Sequence, residues 1–132
     1  MKTYEIDGER FATLEEFYDE IDRVMHLSPW GHNLDAFNDI LRGGFGTPEG
    51  GFTIRWKNHN TSRERLGYAE TVRQLNLRLE RCHPESRDTV SQYLQDAQQG
   101  RDQTAFDWLV DVIHKHGPGG EEEQDRVELI LD

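Results

Sequence analysis

Trp30-Gly31-His32-Asn33-Leu34-Asp35-Ala36-Phe37-Asn38-Asp39-Ile40-Leu41-Arg42-Gly43-Gly44 reads as a loop that runs into a short helix and stops at a glycine pair. Asn33 is a natural N-cap, since its side-chain oxygen can accept from a free amide of the first turn. Leu34, Phe37, Ile40 and Leu41 recur at helical spacing and make one apolar face. Asp35, Asn38, Asp39 and Arg42 fall on the opposite face. Gly43 suits the left-handed residue that closes a helix. Two carboxylates four residues apart repel by a few tenths of a kcal/mol. The helix dipole offsets this for Asp35, in the first turn, and less for Asp39. Arg42 is placed to pair with Asp39 across one turn. The helix therefore presents a polar patch on a rigid element, next to Trp30 and Gly31.

Outward from this helix, strands and helices alternate. On the N-terminal side, residues 2–7 read as a strand with Tyr4 and Ile6 on one face. Thr13 and Glu16 form a capping box. Leu14, Phe17, Ile21, Val24 and Met25 then line a helix that ends near His26, before Ser28-Pro29. On the C-terminal side, the glycine-rich run 43–51 predicts the most mobile loop away from the chain ends. Phe52, Ile54 and Trp56 alternate with Thr53 and Arg55, as in a strand with one buried face. Thr61 and Glu64 suggest a second capping box, opening a helix with Ala69, Val72, Leu75, Leu79 and Cys82 inward and His83-Pro84 at its end. Val90, Tyr93, Leu94 and Ala97 mark a further helix closed by Gly100. Thr104 caps the next, with Ala105, Trp108 or Leu109, Val112 and Ile113 inward and His116-Gly117 at its end. Pro118-Gly119-Gly120 and Glu121-Glu122-Glu123 predict an exposed acidic loop, and Val127, Leu129 and Leu131 a last strand.

Strands at both ends and in the middle, separated by helices, predict an α/β fold with a small three-stranded parallel sheet. The strands alternate in polarity, so helices are expected mainly on one side. The 132 residues suit a single domain, 1–132.

The formal net charge is -11. This argues against direct nucleic-acid binding, which needs clustered Lys and Arg, and favours basic partners. Cys82 is the one cysteine, so no internal disulfide can form, and a reducing compartment is expected. No run approaches the ~18 apolar residues of a membrane span. The first residues carry no apolar signal core. The location expected is cytoplasmic.

The run from Gly31 to Gly43 follows the pattern Gly-x-Asn-Leu-Asp-Ala, then x-x-Asp-x-Leu-x-Gly. It resembles the defining motif of the barstar family, the intracellular inhibitors of barnase-type ribonucleases. The resemblance covers roughly residues 1–62 and 104–132. It implies a barstar-like fold, with residues of about 63–103 as an inserted or extended helical segment. It also implies a binding surface made by Trp30, Gly31, Asn33, Asp35, Asn38, Asp39, Arg42 and Gly43. Asp39 matches the family's central acidic residue, which enters the ribonuclease phosphate site, and Asp35 a second acidic contact. Gly31 and Asn33 match the binding loop, Trp30 stands where the family has an aromatic, and Gly43 matches the glycine after the helix. Asn38 and Arg42 would set specificity. The family pattern has a tyrosine at the position of Pro29, tryptophans at those of Asn38 and Gly44, and a threonine at that of Arg42. A positive charge at Arg42 would face a positive enzyme unless Asp39 or Asp35 neutralised it. The family's contributing late-helix glutamate falls near Asp111 or Val112.

The implied function is that of an inhibitor or immunity factor of a basic ribonuclease. The alternative is a regulatory module of the same fold that binds a different partner through residues 63–103. No nucleophile with base and orienter is evident, so no enzyme is expected. The pairs His32-x-x-Asp35 and His114-x-His116 are too sparse to read as metal ligands, and no cofactor is expected.

Overall fold

The computed structural model describes residues 1–132. Three strands, β1 (Thr3–Asp7), β2 (Phe52–Lys57) and β3 (Val127–Leu131), form one sheet in the order β1-β2-β3. Both pairings are parallel, with Tyr4 opposite Ile54 and Ile54 opposite Leu129. The helices are α1 (Leu14–Met25), α2 (Leu34–Ile40), α3 (His59–Arg65), α4 (Tyr68–Arg81), α5 (Arg87–Gln98) and α6 (Ala105–Lys115). This is the α/β fold with a three-stranded parallel sheet that the alternation predicted.

The sheet buries one face. Tyr4, Ile6, Phe52, Ile54, Trp56 and Val127 lie in the core, while Glu5, Arg55, Lys57 and Glu128 are exposed on the other side. Period-two alternation thus does what its chemistry requires. Trp56 is fully buried at the centre of the core. Its ring lies 5.4 Å from Phe17, 6.0 Å from Phe11 and 5.1 Å from Phe106, and its indole N–H donates to Ser62 Oγ at 3.0 Å.

α1 begins as its sequence asks. Thr13 Oγ1 accepts from the Glu16 amide at 3.1 Å, and Glu16 reaches back to the Ala12 amide at 3.0 Å. Inside α1 lies a carboxylate that periodicity does not announce. Glu20 is 4% exposed and accepts from the Asp7 amide, Arg10 Nε and both Arg23 Nε and Nη2 at 2.7–3.1 Å. Burial alone pushes its carboxyl up. The bonds from Arg23, the Asp7 amide and Arg10 outweigh burial and hold it below the ordinary glutamate value of 4.5. A group lowered on folding stabilises above its unfolded value and loses that contribution as pH falls through its folded one. Urea stability is therefore expected to drop below about pH 4.5. Glu20→Gln costs about 1.5–3 kcal/mol at pH 7, from lost charge-assisted bonds, and flattens that acid-side decline. An unchanged decline in the variant would remove Glu20 as its source.

Four expectations are corrected between β2 and β3. Thr61 and Glu64 do not cap a helix; both lie inside α3, which follows Asn58 in a left-handed conformation. The helix expected from there is two helices, broken where fully buried Leu66 turns into the core and its carbonyl accepts from the Phe106 amide at 3.1 Å. Ala69 is exposed, and the buried residues of α4 are Glu70, Thr71 and Leu75. Two of these are polar and take partners distant in sequence. Glu70 accepts from the Leu14 amide at 2.8 Å, and Thr71 Oγ1 from the Ala105 amide at 2.7 Å. On α5, Tyr93 is exposed while Val90 and Ala97 are buried. α6 opens with a capping box of Thr104 and Asp107, and buries Phe106 beside the expected Ala105, Leu109 and Ile113.

Candidate protein-binding site

α2 is short, so its ends carry much of its definition. Asn33 Oδ1 accepts from the Ala36 amide at 2.8 Å, and its Nδ2 donates to the Gly31 carbonyl at 3.2 Å. A Cβ at Gly31 would lie 3.0 Å from Asn33 Nδ2 and 3.1 Å from Ala36 Cβ, so the cap packs closely on a bare Cα. Phe37 and Ile40 are fully buried and seat the helix. The Phe37 ring meets Phe17 edge-on at 5.3 Å. Asp35 and Asp39 stand exposed on the other side, one turn apart.

The preceding loop is tied to α1. Trp30 is half-buried. Its ring meets Tyr18 edge-on at 5.3 Å, and its indole N–H donates to Asp22 Oδ1 at 2.5 Å. His32 adopts a left-handed backbone and faces α1, its Nε2 lying 2.6 Å from Asp22 Oδ2. One carboxylate thus holds both rings, and Pro29 before them and Gly31 between them are exposed.

The far end of α2 is tied to the C-terminal part of the chain. Arg42 Nη1 donates to Asp39 Oδ1 at 2.9 Å. Its Nε and Nη2 both donate to Glu122 Oε1, at 3.0 and 2.8 Å. Arg42 is therefore neutralised by Asp39, as its spacing suggested, and also by Glu122. Asp39 Oδ2 accepts from no group of the chain. Asn38 is turned inward, with its Oδ1 2.6 Å from Nε2 of the fully buried His116. That side chain is engaged within the fold. Gly43 has φ +100°, and a Cβ there would lie 2.8 Å from Glu49 Cα, so glycine is required where the chain doubles back. The loop that follows is pinned by Thr47, whose hydroxyl lies 2.7 Å from the Ile40 and Gly44 carbonyls.

The run 121–123 is not uniformly exposed. Glu122 folds back beneath α2 and, with Asp125, meets His116. The sequence offered no fixed spacing for this, only acidity. On α6, Asp111 is exposed and accepts from the side-chain amide of Gln103, while Val112 is half-buried.

The arrangement is an exposed acidic face on a short, anchored helix. Two solvent-facing carboxylates on a capped, core-seated helix are suited to charge-assisted hydrogen bonds with guanidinium and ammonium groups. Compared with known families, residues 1–126 match the model of barstar, the barnase inhibitor. The chain belongs to the barstar family. The match runs through the helical segment 63–103, which here forms most of α3 to α5. Barstar-family proteins are inhibitors of barnase-type ribonucleases. A search of curated proteins finds no match. No helix is long and apolar enough to cross a membrane.

Proposed function

We propose that this protein inhibits a basic ribonuclease by placing the α2 carboxylates where the enzyme holds RNA phosphate. The observation that carries the reading is the pair Asp35 and Asp39, exposed one turn apart on a helix anchored by Phe37 and Ile40 in a barstar-family chain. A ribonuclease site is positive because it binds phosphate. A rigid carboxylate can occupy it with bidentate bonds, and blocking requires no chemistry. The net charge of -11 favours encounter with such an enzyme. Trp30 and Gly31 border the face. Asn33 fixes the start of the helix, and Gly43 its end. Asn38 contributes by holding the helix onto His116 rather than by direct contact. Arg42 sets specificity, as a cation already paired with two carboxylates.

The test is titration into a panel of small basic microbial ribonucleases, with RNA cleavage read at two salt concentrations. Stoichiometric inhibition that weakens with salt is expected. No inhibition of any member would overturn the reading for that class of enzyme. It would direct attention to a second surface. Arg78 and Arg81 have no acidic partner within the chain and edge a groove of about 480 Å³ floored by Leu14, Tyr18, Leu75 and Trp108. A partner other than a ribonuclease, bound through the 63–103 segment, would meet it there.

A further inference from the structure

His116 closes α6 with its side chain fully enclosed. The Asn38 carbonyl oxygen, 2.6 Å from Nε2, is an acceptor, so that nitrogen carries a proton. Nδ1 faces two carboxylates, Asp125 Oδ2 at 2.7 Å and Glu122 Oε2 at 3.5 Å. The three ligand atoms offered by His116, Glu122 and Asp125 lie within 4.8 Å of one another.

One atom of this cluster is unexplained by the protein alone. Glu122 Oε2 is completely buried and has no hydrogen-bond partner, while its sister oxygen takes both bonds from Arg42. A buried acceptor without a donor is destabilising. A proton on Nδ1 would bond Asp125 at 2.7 Å and still leave Glu122 Oε2 unmet. With the imidazole neutral, charge is unbalanced in the same sense. Glu122 and Asp125 bring two negative charges, and the single charge of Arg42 is shared with Asp39.

The geometry points to a divalent-cation site of the zinc class, formed by His116 Nδ1, Glu122 Oε2 and Asp125 Oδ2, with water as fourth ligand. One divalent ion satisfies the orphaned oxygen and cancels both carboxylate charges. An imidazole with two carboxylates suits zinc, whereas magnesium and calcium favour all-oxygen sets. Asn38 supplies the partner that a ligating imidazole takes on its other nitrogen, holding the ring and the tautomer. The ion replaces any proton between Nδ1 and Asp125. That contact then widens from 2.7 Å to about 3.3 Å, the edge of a tetrahedron with ~2.0–2.1 Å bonds. The Nδ1 to Glu122 separation of 3.5 Å already fits. Short-spacing motifs miss this set because its carboxylates follow His116 by six and nine residues. The site does not depend on the proposed inhibitor function. Its consequence is mechanical: the ion joins α6, the run 117–126 and α2, through Asn38 on one side and Glu122 to Arg42 on the other.

The test is calorimetric titration of Zn²⁺ into the chelator-stripped full chain, with ring-nitrogen NMR of the histidines. One zinc per chain is expected, with Nδ1 of His116 the nitrogen that shifts and a rise in melting temperature. Glu122→Gln and Asp125→Asn should each weaken binding by at least about tenfold, and Asn38→Ala by about 10–100-fold. Circular dichroism checks that each variant is folded. His32→Ala, which removes the exposed imidazole beside Asp22, should leave binding unchanged. Failure to bind at millimolar zinc overturns the site, as does undiminished binding in folded Glu122→Gln and Asp125→Asn. So does an NMR spectrum in which His116 stays protonated on both nitrogens at saturating zinc.

Discussion

Asp39→Ala is expected to weaken binding to the proposed ribonuclease partner by about 30- to 5,000-fold, or about 2–5 kcal/mol, the cost of losing one member of a desolvated charge pair. The barnase–barstar pair is the reference case for such effects, and the expected size is taken from it. The geometry of this chain adds direction and partition. Asp39 is half-exposed and shares Oδ1 with Arg42, leaving Oδ2 free for an incoming guanidinium. In the complex Arg42 keeps Glu122, so Asp39 can turn to the enzyme without stranding a charge. The loss should therefore appear mainly in the dissociation rate. Arg42→Ala should act oppositely on association, which becomes faster at low salt as a cation leaves the acidic face. Surface plasmon resonance of the two variants at two ionic strengths separates these effects. Unchanged dissociation of Asp39→Ala would rule out this carboxylate as the phosphate mimic.

Phe37→Ala costs about 3–5 kcal/mol of folding stability. Its ring is fully buried and packs at 5.3 Å from Phe17 and 6.4 Å from both Tyr18 and Trp30. Alanine leaves a cavity where α2, α1 and the Trp30 loop meet, so fold and binding face should fail together. A melting temperature lower by roughly 10–20 °C is expected. Phe37→Leu keeps much of the volume and loses less, because volume-conserving apolar changes are better tolerated. A loss under about 1 kcal/mol for the alanine variant would mean that the ring does not seat the helix.

α2 was legible in the sequence because its determinants are local. The Asn33 cap, the apolar spacing of Leu34, Phe37 and Ile40, and Gly43 all lie within eleven residues. The strands were legible for the same reason, through alternation at Tyr4, Ile6, Phe52, Ile54 and Trp56. The errors fall where distant partners decide. Leu66 leaves its helix to meet Phe106, forty residues on. Glu70 and Thr71 displace Ala69 from the interior because the amides of Leu14 and Ala105 await acceptors there. No hydrophobic period encodes a buried carboxylate that is hydrogen-bonded from elsewhere. In the candidate site, Asp35 and Asp39 were found by spacing and resemblance. Glu122 and His116 were not, since the contacts from Arg42 and Asn38 bridge about eighty residues.

The all-parallel sheet has a kinetic corollary. No strand pairs with its neighbour through a hairpin: Thr3 meets Thr53, and Phe52 meets Val127, so registration closes loops of about fifty and seventy-five residues. Loop-closure entropy precedes any ladder bond, so non-local topologies fold slowly for their size, while helices form in microseconds or less. α2 lies inside the first of those loops, and its seat is completed by Phe17 on one side and His116 on the other. The proposed recognition face is thus expected to be completed late, after both crossovers have closed. On the proposed function, a nascent or partly folded chain would show its partner no finished decoy, and inhibition would begin only when the whole domain has formed.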